Sequence, residues 1–319
     1  MKRDQQNYVD HCWLENDKLV IATQDELIIL INFETRGTIS LKGWDQLITT
    51  IVPFSKGVLV GGTSGNIRVF ADTDNDKIPL CAIKDIGAKD IDSSKIQSIA
   101  VTEEICCYLT SYNRIILFPF SHVTDELNDD ETQYEIVVPF FHTVTCIDVC
   151  LCKPILITGG SDQAINVWNY NERKFELHHN CGSDIISVSL HPSGYLVLLC
   201  CNENVSLGSI QHTKIVTIWS RNVQTTAASC FSNGGQYFAL HIGLFVQIFH
   251  TYTCSLISTL TGHLEKIQSI HWKEDDQMIG TIGKDCNVSL WNVSTGEIKF
   301  RHSEYISNIS MTTRNKVEI

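Results

Sequence analysis

Two stretches decide the fold: Ile155-Leu-Ile-Thr-Gly-Gly-Ser-Asp-Gln-Ala-Ile-Asn-Val-Trp-Asn169 and Met278-Ile-Gly-Thr-Ile-Gly-Lys-Asp-Cys-Asn-Val-Ser-Leu-Trp-Asn292. Aligned on Asp162 and Asp285, both place a threonine four residues earlier (Thr158, Thr281) and a tryptophan six later (Trp168, Trp291). Each reads as an apolar strand, a turn holding glycine and aspartate, then an alternating strand, since side chains on a strand point to opposite faces with a period of two. A pattern that recurs in one chain marks a repeat architecture, which outranks local assignments.

Weaker copies surround these two. Val58–Phe70 and Ile105–Phe118 keep the turn and close on phenylalanine, and Leu19–Thr23 with Leu27–Phe33 forms a first copy. Tyr195–Ile210 and Tyr237–Phe249 supply a fifth and a sixth. The closing aromatics Phe33, Phe70, Phe118, Trp168, Phe249 and Trp291 recur at the roughly 40–45-residue period of a four-stranded propeller blade, with a gap near Ile210.

Within the last copy, strands a to d are read as Ile267–Trp272, Met278–Ile282, Val288–Asn292 and Glu297–Phe300. Val144–Val149, Ile185–Leu190 and Ala227–Phe231 read as inner strands of their blades. The expectation is an all-β, seven-bladed β-propeller of four-stranded antiparallel blades over residues 9–302, with a tail at 1–8 and a further strand and tail at 303–319. Such a ring leaves no long sheet edge exposed. Tyr305–Met311 reads as a lone inner strand that pairs at the ring closure or starts an eighth blade. The acidic insertion Asp125–Glu135 and the charged connection Ile83–Ile96 read as solvated loops.

The chain has 319 residues and a formal charge of -12. That charge argues against nucleic acid as a partner, because phosphate contact requires a basic face, and against docking on an anionic membrane. Thirteen cysteines form an odd set with adjacent pairs (Cys106–Cys107, Cys200–Cys201) and no Cys-x-x-Cys. They read as small apolar strand residues rather than zinc ligands or disulfides. The opening Met1–Gln6 carries no apolar signal segment, and no apolar run reaches the length of a membrane span. A reducing, cytoplasmic setting is expected, with the sequons at Asn204, Asn287, Asn292 and Asn308 unglycosylated.

The frame from Gly262-His263 to Trp291-Asn292 resembles the WD-repeat family. That resemblance implies a hydrogen-bonded chain inside the blade through His263, Thr281, Asp285 and Trp291, and in the fourth blade through His142, Thr158, Asp162 and Trp168. In the other blades the set is incomplete. Leu190–Gly194, Phe231–Ala239, Leu260–Trp272 and Trp291–Glu297 are similar to the second propeller of the family of cilia- and flagella-associated protein fifty-seven, as are Cys152–Thr158 and, more faintly, His11–Leu14. The likeness is strongest from about residue 143 onward. It implies a structural component of the motile-cilium axoneme near the inner dynein arms, with axonemal or dynein-arm proteins as partners. The family carries two propellers and a long coiled coil, so one propeller without a sustained heptad reads as a truncated relative or an incomplete form.

His178-His179-Asn-Cys181 contains metal-binding residue types, but neighbours on an extended segment point apart, so a polar connection is expected there. Cys150 and Cys152 read as packed strand residues. Asp162 and Asp285 read as turn-forming acids rather than general bases, and Gly159-Gly160 and Gly234-Gly235 as hairpin glycines with positive φ. No Gly-x-Ser-x-Gly elbow or phosphate-cradling loop occurs. The reading is therefore a non-enzymatic scaffold that binds proteins through its rims, with no metal, cofactor or small-molecule substrate. Lys18, Lys56, Arg68, Tyr112, Arg114, Lys153, Lys266 and Lys284 are the turn residues available for contact, with Tyr112 and Arg114 the chosen pair because interfaces draw on aromatic and arginine anchors. The alternatives are an adaptor such as a ubiquitin-ligase substrate receptor, or a hydrolase acting across the central channel.

Overall fold

From Ile267 to Ser303 the alternating pattern becomes four consecutive antiparallel strands: Ile267–Trp272, Met278–Gly283, Asn287–Asn292 and Ile298–Ser303. The computed structural model describes residues 8–14, 18–24, 27–32, 37–41, 44, 46–73, 79–87, 94–102, 105–119, 134–136, 143–223 and 229–303, and none of them is helical.

The same four-strand unit recurs through the chain. The first sheet is Tyr8–Trp13, Leu19–Thr23, Leu27–Asn32 and Gly37–Leu41; the second is Ile48–Phe54, Gly57–Gly62, Asn66–Asp72 and Leu80–Gly87. The third is Ile96–Val101, Ile105–Thr110, Ile115–Pro119 and Tyr134–Ile136; the fourth is Val144–Val149, Ile155–Gly160, Ala164–Asn169 and Lys174–Asn180. The fifth is Ile185–Leu190, Leu196–Cys201, Asn204–Ile210 and Ile215–Asn222; the sixth is Ser229–Phe231, Tyr237–Ile242, Phe245–His250 and Leu256–Thr261. With the Ile267–Ser303 unit these make seven four-stranded sheets among the described residues. The architecture is a β-propeller of four-stranded antiparallel blades.

The core lies between sheets, because each sheet has two apolar faces and needs a neighbour on both. Ile157 and Val167 pack with Val188 and Leu199 between the fourth and fifth sheets. Leu59 and Val69 pack with Ile99 and Phe118 between the second and third. Trp13, Leu19 and Ile21 of the first sheet pack with Ile282, Val288 and Leu290 of the last, so the ring closes on itself. Full burial of each such aliphatic side chain is worth about 1.5–3 kcal/mol. Among the described residues the closure is made by packing, since each sheet consists of four strands consecutive in sequence.

Among the described residues a bulge lies near the start of the innermost strand in six sheets, between Tyr8 and Asp10, Ile48 and Thr50, Ile96 and Ser98, Val144 and Cys146, Ile185 and Ser187, and Ile267 and Ser269. A bulge increases local twist, and its repetition gives these inner strands a common bend. Between third and fourth strands a second shift recurs at Val167/Trp168, Leu207/Gly208 and Leu290/Trp291. Gly208 therefore occupies the place of the tryptophan, which is the gap the sequence left near Ile210. Ile215, from the outer strand, fills the space beside Gly208 together with Val197, while Trp219 packs on the opposite face against Phe238 and Phe249 at 5.8 and 5.5 Å.

Several loop assignments change. Residues 83–87, read as loop, belong to the outer strand Leu80–Gly87, and Ile96 opens the next inner strand. Tyr134 and Glu135, read as insertion, pair with Leu117 and Ile116. The last outer strand runs Ile298–Ser303, shifted from the expected Glu297–Phe300. Phe33, the rest of the acidic insertion, Ala227 and the segment Tyr305–Met311 lie outside the described residues.

Candidate functional site

In the last blade a polar chain runs through the interior. His263 Nδ1 faces Asp285 Oδ1 at 3.1 Å, His263 Nε2 meets Thr281 Oγ1 at 2.7 Å, and Trp291 Nε1–H donates to the same Oγ1 at 2.8 Å. With the Nδ1 proton directed to Asp285, Nε2 accepts from the threonine hydroxyl, whose oxygen accepts the indole proton. Asp285 also accepts from the Leu264 backbone N–H and the Asn287 amide, each at 2.9 Å. Burial acts to raise the Asp285 carboxyl, but these donors hold it below its ordinary value. Burial lowers His263, with Asp285 opposing. The Asn287 amide, one of the sequon nitrogens, is thus committed inside the turn.

Gly283 makes room for this chain: a Cβ there would run into the Asp285 carboxylate and come within 2.6 Å of His263 Nδ1. Gly160 does the same beside Asp162, with a Cβ 2.6 Å from its Oδ1. The expected positive φ is found at Gly235 (+72°) but not at Gly159, Gly160 or Gly234; in the Asp162 and Asp285 turns, Gln163 and Cys286 adopt it instead. Close packing, not backbone conformation, requires glycine at 160. In the fourth blade His142 lies outside the described residues. Among the described ones, neither Thr158 Oγ1 nor Trp168 Nε1 has a hydrogen-bond partner, and Asp162 accepts only from Ala164 N–H, at 3.3 Å. Trp168 is held by Phe175, ring to ring at 5.0 Å.

These groups are interior and cannot meet a partner; the rims can. In an up-and-down sheet, turns after the first and third strands lie on one face of the ring, and turns after the second and fourth on the other. Tyr112, 67% exposed, and the half-buried Arg114 sit on the latter face with Lys266 and Lys284. Lys56 and Lys153 lie on the former, where Lys153 Nζ stands 3.0 Å above the Tyr195 ring. Lys18 is not a free contact residue: it is 6% exposed and bonded to Asp72 at 2.6 Å. Arg68 is spanned by Asp85 at 2.6 Å and lies over Trp44.

The face carrying Lys153 holds a feature the sequence did not single out. Leu151, Tyr195 and Tyr252 project from its turns at 59%, 61% and 69% exposure. At the channel mouth on the same side a cavity of about 340 Å³ is lined by Trp13, Phe54, Phe231, His271, Trp272 and Glu274. A groove of about 450 Å³ between the fourth and fifth blades adds Glu172, Phe175 and His212 beside Tyr195. The only signal for it in the sequence was an aromatic residue placed directly in a turn.

Metal-ligating types also meet where the sequence did not bring them together. His178 Nδ1 bonds Asn166 Oδ1 at 2.8 Å and joins no metal-like group among the described residues. Asp10, His11 and His271 do, with one ligand atom from each within 4.8 Å of the others. None of the thirteen cysteines is joined in a disulfide. Burial pushes the Cys146 thiol up to about 12 and Cys200 to about 11, so these stay protonated and unreactive.

Comparison with known proteins follows the same lines. The family model described as WD domain, G-beta repeat matches residues 137–169 and 254–292, which end on the two Trp-Asn pairs. Cilia- and flagella-associated protein 57 A of Tetrahymena thermophila is 30% identical over 318 residues, covering 96% of this chain and 24% of that protein. Cilia- and flagella-associated protein 57 of Mus musculus is 30% identical over 198 residues, 61% of this chain and 16% of the relative. Periodic tryptophan protein 2 of Saccharomyces cerevisiae is 25% identical over 161 residues, 46% and 16% respectively. The chain thus spans about a quarter of the length of the first relative.

Proposed function

The chain is a WD-repeat protein with relatives among the cilia- and flagella-associated proteins, and we propose that it is a non-enzymatic scaffold of the ciliary or flagellar axoneme, acting near the inner dynein arms. In this reading residues 9–302 form one rigid ring of seven blades that holds axonemal proteins against its faces. The observation that carries it is that the exposed Leu151, Tyr195 and Tyr252 project from the same face as the aromatic channel mouth. Interface energy concentrates in a few aromatic anchors set among polar residues, which is the composition of this face. Tyr112 and Arg114 are proposed as a second contact pair on the opposite face. The polar set of the last blade, by contrast, is turned inward: His263, Thr281, Asp285 and Trp291 are bonded to one another inside the blade. The likeness to ciliary relatives over nearly the whole chain supports the location.

Proximity labelling with the tagged chain in ciliated cells tests the proposal. Enrichment of axonemal and dynein-arm proteins is expected, and it is expected to fall in a Tyr195→Ala/Tyr252→Ala variant. Labelling confined to the cell body, with ubiquitin-ligase components enriched, would overturn it in favour of an adaptor role.

A further inference from the structure

The group at the ring closure belongs to no blade-internal chain and to neither rim. Asp10 and His11 lie on the innermost strand of the first sheet, His271 on that of the last. Asp10 Oδ1 accepts from His271 Nε2 at 3.0 Å and from the His11 backbone N–H at 2.9 Å. The two imidazoles stand edge to face with centroids 4.7 Å apart. His11 is fully buried, and its Nδ1 lies 2.8 Å from Ser269 Oγ. Its other nitrogen, Nε2, is buried and has no hydrogen-bond partner among the described residues.

Gly280 shows where that nitrogen points. Gly280 is the cross-strand partner of His271, so a side chain at 280 would rise on the same face as the His271 ring. A Cβ at that position would come within 2.7 Å of His11 Nε2. The unpartnered nitrogen therefore fills the space directly beside His271, and glycine is what leaves that space open. A buried imidazole nitrogen with nothing to bond carries an uncompensated desolvation cost. A ligand at this point would remove that cost.

We propose that Asp10, His11 and His271 form a binding site for a divalent transition metal, with zinc the best fit, that joins the first blade to the last. Two imidazoles and one carboxylate are a recurrent zinc set that leaves a fourth position for water. Ser269 supplies the outer contact that orients a ligating histidine by fixing the proton on its far nitrogen. On binding, the proton on His271 Nε2 shifts through solvent to Nδ1, so the ring stays neutral while the Nε2 lone pair and the freed carboxylate oxygen take the metal. The route in is open, since the His271 side chain is 33% exposed and lines the channel-mouth cavity.

The test uses the full chain, stripped with chelator and titrated with Zn²⁺ against a chromophoric competitor. One tight site is expected in the wild type. It should weaken at least tenfold in Asp10→Asn and in His271→Ala, and by roughly 10–100-fold in Ser269→Ala. His271→Gln, compared by circular dichroism, separates loss of a ligand from loss of fold. Substituted Co²⁺ should give visible bands without thiolate charge transfer, because no cysteine takes part. Zn²⁺ should raise the melting temperature of the wild type but not of folded His271→Gln. Absence of a tight site in the folded wild type would overturn the proposal, leaving Asp10 and His271 a plain hydrogen bond. So would equal affinity in the variants, or a thiolate band that persists in them.

Discussion

The Leu190 backbone N–H donates to Asp148 Oδ2 at 2.6 Å, tying the inner strand of the fifth blade to that of the fourth. Asp148 also accepts from Val149 N–H at 2.8 Å. Burial nonetheless pushes its carboxyl up to about 6, from an ordinary value of 3.8, with these donors opposing. A carboxyl raised on folding keeps its proton longer in the native state, so its contribution is fully present below about pH 4 and is lost as pH rises through 6. The loss amounts to at most about 3 kcal/mol. Urea unfolding of Asp148→Asn from pH 4 to 7 should lack this downward slope, and an unchanged slope would assign it to other groups.

Thr281→Val removes the shared oxygen of the last blade while keeping its shape. Trp291 Nε1 and His263 Nε2 are then both left buried without partners. At about 1–3 kcal/mol per stranded group, the expected loss is about 3 kcal/mol by chemical denaturation. Thr158→Val in the fourth blade, whose hydroxyl has no described partner, should cost less than about 1 kcal/mol.

Gly283→Ala forces a methyl into the space of the Asp285 carboxylate and His263 Nδ1. It should destabilise by about 2 kcal/mol. Combined with Thr281→Val, the two losses should fall short of their sum, because both changes break one hydrogen-bonded chain. Full additivity in the double-mutant cycle would mean that Gly283 acts on the backbone alone.

Tyr195→Ala is expected to leave folding stability within about 1 kcal/mol of wild type, losing chiefly the exposed contact with Lys153. Its effect on partner capture should be larger, roughly tenfold in affinity, as for an anchor worth about 1–2 kcal/mol. A variant that melts early and still binds normally would move the interface to another part of the ring.

The architecture was legible because two blades, ending on Trp168-Asn169 and Trp291-Asn292, state the repeat within fifteen consecutive residues. Where a blade departs from it, the substitution is non-local. Gly208 gives no aromatic signal, and Ile215 of the next strand fills the space beside it. Lys18 reads as a surface lysine until Asp72, distant in sequence, is seen to neutralise it. Glycines 159 and 160 read as turn formers, although their neighbours in space, Ile185 and Asp162, are what demand a missing side chain. The histidine and aspartate group was invisible for the same reason: Asp10 and His271 are 261 positions apart, and no local spacing encodes that meeting.

Because every sheet uses four strands in succession, the order of synthesis is also an order of assembly. Each blade can pair its strands soon after it leaves the ribosome, as chain segments fold in the order they are made. His11 and Ser269, 258 positions apart, cannot meet until the last blade exists. Until then the flank formed by Trp13, Leu19 and Ile21 is uncovered, a tacky surface on the nascent chain. Within this ring the first-made blade is thus the last to be sheltered.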